Sequence, residues 1–194
     1  MLGGLLLRLL YVKIRPPERF YAASAEGACS TGASIVVDVG GATGLLYHAI
    51  SKRCRPQLYV ILEPDVALLA EGVQGAAVER VAADARHPPL RSIDAVAVFH
   101  DALHHVPRWE RHLDEMLEPY RCTVIEDYDV STVKGRLLRL AERLFGFPAE
   151  FATRSRVEKL LESRGFRILR AEGDFPYLIA ACRPRHRGAS KNYS

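Results

Sequence analysis

The chain has 194 residues, 48% of them hydrophobic and 26% charged, the profile of one soluble domain with a sizeable core. Its formal charge of +4 is local: Arg183, Arg185, Arg187 and Lys191 supply four of the 27 basic residues, and the other 23 balance the 23 acids. The body is neutral, so nucleic acid is not an expected partner, and residues 184–194 read as a basic, solvated tail. Cys29, Cys54, Cys122 and Cys182 lie far apart and show no metal or redox spacing. Cys122 and Cys182 fall in apolar runs, so buried free thiols and a reduced, cytoplasmic setting are expected. At the N-terminus Leu2, Leu5, Leu6, Leu9 and Leu10 stand at helical spacing in a run too short to span a bilayer. The run lacks a basic leading region, which argues against a signal peptide and for an amphipathic helix docked on the domain. Pro16 and Pro17 end it. Residues 18–25 predict a second short helix before a loop over 27–32, completing an N-terminal helical extension over 1–32.

The next segment carries the chemistry. Ile35, Val36 and Val37 form a buried strand that stops at Asp38, and Gly40, Gly41 and Gly44 follow, with an apolar helix-suited segment over 45–50. Strand, glycine turn and helix open a βαβ unit that binds a nucleotide-like ligand. No Gly-Lys-Ser/Thr ending marks a phosphate loop, and the glycine spacing is wrong for a dinucleotide, which disfavours a nicotinamide oxidoreductase. Asp38, two residues before the first glycine, would repel a pyrophosphate and favour a ligand with an ammonium group. S-adenosylmethionine carries an ammonium, a sulfonium and no phosphate. The stretch resembles the first motif of class I methyltransferases, roughly Asp-x-Gly-x-Gly-x-Gly, with Ala42 in place of the middle glycine. Alanine suits that turn only if its φ is negative.

A second strand over 57–62 is closed by Glu63, Pro64 and Asp65, and a helix runs from Pro64 to the stop at Gly72. Glu63 lies where such folds place an acid against a ribose diol. The resemblance makes Glu63 the ribose-binding residue, with Pro64 beside it. A third strand over 77–83 ends at Asp84; in the family an acid here accepts from the adenine amino group and the next N–H reaches the ring, which implicates Asp84 and Ala85. The fourth strand, 93–99, leads into His100, Asp101, His104 and His105. Pairs at i, i+4 invite a metal, but no Glu follows in the zincin pattern, and the family has a similar Leu-His-His-Val run without one; no metal is expected. The segment is expected to line the pocket near the reactive methyl, with His100, Asp101 and His104 as candidate bases.

Trp109, Leu113, Met116 and Leu117 stripe a core-facing helix. Residues 121–125 form a fifth strand ending in Glu126, Asp127 and Asp129, which read equally as a substrate-binding or base cluster and as a solvated loop. Val133, Leu137, Leu140, Ala141 and Leu144 stripe the next helix, with Arg136, Arg139, Glu142 and Arg143 outside. An aromatic loop over 145–153 is a possible acceptor wall. Ser155 and Glu158 form a capping box, and strands over 166–172 and 177–182 close a hairpin. The resemblance covers 33–183. It implies a Rossmann-like α/β fold, a seven-stranded and mostly parallel sheet with an antiparallel last strand and helices on both faces. It also implies S-adenosylmethionine as cofactor and in-line methyl transfer, a small molecule being the default acceptor. The alternatives are a non-catalytic, methyltransferase-like domain that binds a partner, and an RNA or protein methyltransferase.

Overall fold

The structure, a computed structural model, describes residues 17–90, 93–147 and 149–184. The expected helix over 2–10 and nearly all of the basic tail therefore lie outside the described residues. Seven strands make one sheet: β1 (Ile35–Val39), β2 (Leu58–Glu63), β3 (Val78–Ala82), β4 (Ile93–His100), β5 (Tyr120–Asp127), β6 (Arg167–Gly173) and β7 (Tyr177–Cys182). Their order is β3-β2-β1-β4-β5-β7-β6. β1 to β5 pair in parallel, and β7 runs antiparallel to both its neighbours. β1 sits between β2 and β4, so successive crossovers leave it in opposite directions and open a crevice at its carboxyl end. The expected sheet is the one observed.

The described α-helices are α1 (Ala22–Ser30), α2 (Leu46–Ser51), α3 (Val66–Ala70), α4 (Trp109–Leu117), α5 (Val133–Leu144) and α6 (Arg154–Glu162). Strand alternation divides the core between the two faces of the sheet. Val36, Tyr59, Ile61, Val98, Val124 and Ala180 pack with Ala25 and Ala28 of α1 and Ala49 and Ile50 of α2. Val37, Leu62, Ala97, Phe99, Ile125 and Ile179 pack with Leu113 and Met116 of α4 and Val157 and Leu161 of α6. All six residues of β7 are buried, as its place between two strands demands. Among the described residues no helix is long and apolar enough to cross a membrane.

Several local expectations are corrected. The expected loop over 27–32 begins later, because α1 continues to Ser30 and uses Gly27 to approach Val124 closely. α6 is capped by Thr153, whose hydroxyl accepts from the Arg156 N–H, two residues before the expected Ser155. No cysteine is free: Cys29 bonds to Cys54 and Cys122 to Cys182. Sequence separations of 25 and 60 hid pairs that the fold brings to Cα distances of 5.8 and 4.0 Å. Cys122 and Cys182 lie directly opposite in the β5–β7 ladder, beside the bonded pair Arg121 and Arg183, where antiparallel side chains come closest. With no free thiol, the cysteines give no support to a reduced compartment.

The stripe on α5 does not face the core, although Arg136 and Arg143 lie outside as expected. Val133, Leu137, Leu140 and Leu144 are exposed, while Gly135 is buried and Glu142 is turned inward, half-buried. Polar contacts set this orientation. Thr132 caps the helix by accepting from the Gly135 N–H, and a Cβ at Gly135 would lie 2.1 Å from the Asp129 carbonyl oxygen.

Candidate functional site

A cleft of about 300 Å³ opens at the carboxyl ends of β1 to β4, a size suited to a small ligand. Gly40, Glu63, Pro64, Asp84, Ala85 and Asp101, each named from the sequence, line it. Val39 and Leu68, which sequence reasoning did not single out, add an apolar wall with Ala42. Ala102, His105, Val106, Pro107 and Phe147 close the other end, drawn from the two segments expected to reach the pocket.

The glycine loop is held from below by Glu63. Its Oε2 accepts from the Ala42 N–H at 3.1 Å and its Oε1 from the Asp65 N–H at 3.0 Å. The side chain is 7% exposed, and burial raises its pKa above the usual carboxylate range against the pull of those two bonds. Each oxygen keeps a second lone pair. Ala42 stands at φ +49°, contrary to the expected negative value; the left-handed conformation costs an alanine about 1 kcal/mol. Gly44, at φ +72°, faces Ile61 so closely that any side chain would collide with it. Gly41 and Gly44 shape the loop without lining the cleft.

Asp38 departs from expectation. It lies under the loop, with Gly41 crossing directly over its carboxyl group, and it accepts from the Tyr59 hydroxyl at 2.5 Å. Alternation along β1 turns it to the α1 face, away from the cleft lining. Burial pushes its pKa up to about 6. A carboxyl so placed supports the turn and does not line the mouth of the loop. Asp84 does reach the cleft, but in a fork with Arg86, whose Nε donates to both oxygens at 3.0 and 3.1 Å. That hydrogen bonding holds the Asp84 carboxyl below its ordinary pKa.

The three candidate bases are not all brought together: Asp101 Oδ1 lies 4.0 Å from His104 Nε2, but the sheet separates His100 from both. Glu126 and Asp127 are consecutive on β5 and therefore point to opposite faces, and each takes a different histidine. Glu126 lies 3.3 Å from His100 Nδ1 and accepts from the Ser24 N–H at 3.0 Å, while Phe20 and Tyr21 pack on the His100 ring. His100 is thus sealed on the α1 face, outside the cleft. Asp127 accepts from His104 Nδ1 at 2.7 Å and from the His104 N–H at 3.2 Å. His104 is fully buried, stacked on Phe151 at 3.9 Å. Burial alone would lower its pKa, but Asp127, Glu142 and Asp101 outweigh it and hold the imidazole up to about 10. Of the three, only Asp101 lines the cleft; burial raises its carboxyl to about 6. The acids at the end of β5 and just after it are not a solvated loop: Asp129, buried like Glu126 and Asp127, receives the Ser131 and Arg154 N–H groups.

Glu142 joins His104 and His105, and sequence reasoning had no means to find it. Its Oε2 lies 3.3 Å from His104 Nε2 and 4.0 Å from His105 Nδ1. The only signal was a charged residue on an amphipathic helix, where the polar face is expected to meet water.

No protein-family model and no curated protein matches the chain by sequence. Solved structures do. Magnesium protoporphyrin IX methyltransferase of Synechocystis, with bound S-adenosylhomocysteine, matches at a TM-score of 0.66 and 15% identity, over 86% of this chain and 83% of its own. An S-adenosylmethionine-dependent methyltransferase from Aquifex aeolicus gives 0.62 and 18%, over 87% and 94%. One from Thermotoga maritima gives 0.65 and 16%, over 95% and 96%. The chain has the fold of class I S-adenosylmethionine-dependent methyltransferases.

Proposed function

We propose that this chain binds S-adenosylmethionine in the cleft and transfers its methyl group to a small molecule. The observation that carries the reading is Glu63, a buried carboxylate at the end of β2 whose two oxygens are already oriented by N–H groups of the glycine loop and the following turn. A ribose diol is a matching pair of donors for the lone pairs that remain. Asp84 and Ala85 stand at the adenine end, with the Arg86 fork fixing the Asp84 carboxyl. Val39, Leu68 and Val106 supply apolar walls. S-adenosylmethionine fits this lining better than a nicotinamide dinucleotide does, since Glu63, Asp84 and Asp101 line the cleft and no described lysine or arginine does.

When bound, the cofactor supplies a methyl group on a sulfonium whose leaving thioether needs no proton. The protein's part is alignment and exclusion of water, which can be worth several kcal/mol. Asp101, with its pKa of about 6, is ionised at neutral pH and is the group placed to take a proton from an acceptor. The solved neighbours include an enzyme of magnesium protoporphyrin IX, consistent with a small, greasy acceptor. The reading is tested by thermal shift with S-adenosylmethionine, S-adenosylhomocysteine and NAD. A ligand at 100 times its dissociation constant adds about 2.7 kcal/mol; the two sulfur ligands should stabilise and NAD should not. Stabilisation by NAD alone would overturn the reading.

A further inference from the structure

Beside the cleft, His104, His105 and Glu142 form a cluster of which only His105 reaches the cleft lining. The Nδ1 of His104 is committed to Asp127 at 2.7 Å, and Asp127 is itself pinned by the His104 and Tyr128 N–H groups. A histidine oriented this way by a carboxylate presents Nε2 as its remaining ligand atom, the arrangement that accompanies metal-binding histidines. That Nε2 is fully buried and makes no hydrogen bond of acceptable geometry, although Glu142 Oε2 is 3.3 Å away; Glu142 Oε2 likewise makes none. His105 Nδ1 completes the set, and the three atoms lie within 4.8 Å of one another.

We propose that His104 Nε2, His105 Nδ1 and Glu142 Oε2 bind one divalent transition-metal cation of the zinc class. Two imidazoles and a carboxylate suit such an ion; magnesium and calcium prefer all-oxygen sites. Ligand bonds of about 2.0–2.2 Å set tetrahedral ligand atoms roughly 3.3 Å apart. The His104–Glu142 spacing already meets this; the 4.0 Å His105–Glu142 spacing closes through the flexible Glu142 side chain, and the His104–His105 spacing through a turn of the partly exposed His105 ring. Asp127 and Asp101, whose Oδ1 is 4.0 Å from His104 Nε2, supply further negative charge for the cation. Histidine pairs four apart, the spacing a sequence search looks for, are not the ligands: His100 is on the other face of the sheet, and the carboxylate comes from α5.

Three protein ligands leave a fourth position, and His105 and Asp101 both line the cleft. An acceptor oxygen placed there would be polarised and would lose its proton more readily. This role rests on the methyl-transfer reading; cation binding itself does not.

The test uses the full chain without a polyhistidine tag, dialysed against chelator and titrated calorimetrically with zinc, with cobalt(II) as a spectroscopic substitute. Saturable binding of one ion per chain and a tetrahedral cobalt spectrum are expected. His105→Ala and Glu142→Gln, both at partly exposed positions, should each weaken zinc binding tenfold or more while keeping wild-type circular dichroism. His87→Ala, in the separate ring pair of His87 and His112, should not. No saturable binding, equal binding by both cluster variants, or loss in His87→Ala would overturn the site. Should one variant fail to fold, the wild-type cobalt spectrum and the other variant decide. S-adenosylmethionine binding is measured separately: zinc binding without it would support the site while removing the methyl-transfer reading, and the reverse result would remove the site alone.

Discussion

Glu63 accepts from N–H groups in two different turns, so its substitution tests loop and ligand together. Glu63→Gln keeps the size but turns an amide donor toward a backbone donor. S-adenosylmethionine affinity should fall by about 2 kcal/mol, the worth of a hydrogen bond to a charged group, with the fold intact by circular dichroism. Wild-type affinity in calorimetric titration would take Glu63 out of the site. Asp38 calls for the opposite expectation. Its carboxyl is buried against Tyr59 and pushed up to about 6, so Asp38→Asn keeps an acceptor for the hydroxyl and removes a charge that burial disfavours. Stability should hold or rise, and S-adenosylmethionine, S-adenosylhomocysteine and adenosine should be affected alike. A selective loss of the two ligands that carry an ammonium would return Asp38 to the ligand. The motif could be read from the sequence because glycine spacing is a backbone requirement. The role of Asp38 could not, because it depends on Tyr59 lying beside it on β2.

Among the elements, α5 shows where periodicity stops being informative. The spacing of Val133, Leu137, Leu140 and Leu144 correctly identifies a helix and its apolar face, but not what that face meets. Position is set instead by the Thr132 cap, by Gly135 against the Asp129 carbonyl and by Glu142 at the histidines. Gly135→Ala makes a sharp test. In an ordinary exposed helix alanine would gain about 1 kcal/mol; here its Cβ would lie 2.1 Å from backbone oxygen, and a loss of about 2 kcal/mol is expected in urea denaturation. A gain would show that α5 does not pack as described. The strands were easier to read, since apolar runs bounded by glycine, proline and acids carry both their length and their burial. The histidine segment was misjudged for a related reason: alternation on β4 and β5 sends neighbours to opposite faces, which sequence proximity conceals.

For the whole molecule, the shifted groups set a pH dependence of one sign over a wide range. Asp38 and Asp101 keep their protons to about 6 when folded and to about 4 when unfolded, so their contribution falls as pH rises through that window. His104, held up to about 10 from about 6.5 when unfolded, contributes fully below 6.5 and loses that contribution as pH rises toward 10. Asp84 and Asp129, with lowered pKa values, act the other way and weaken the fold only in strong acid. Without added cation, the urea midpoint should therefore drop between pH 7 and pH 10. An unchanged midpoint would mean that His104 is neutral in the fold. Strand order has a consequence of another kind. β7 is the last described strand in sequence, yet it stands between β5 and β6, bonded to both. On the ribosome, β5 and β6 emerge with no partner between them, and the sheet cannot close until Cys182 has left the exit tunnel. Until β7 is made, β5 and β6 each keep an unpaired edge where it will lie, a template for joining another chain. A stop codon before Tyr177 should thus yield aggregate and not a smaller soluble domain, as expression of the truncated chain would show.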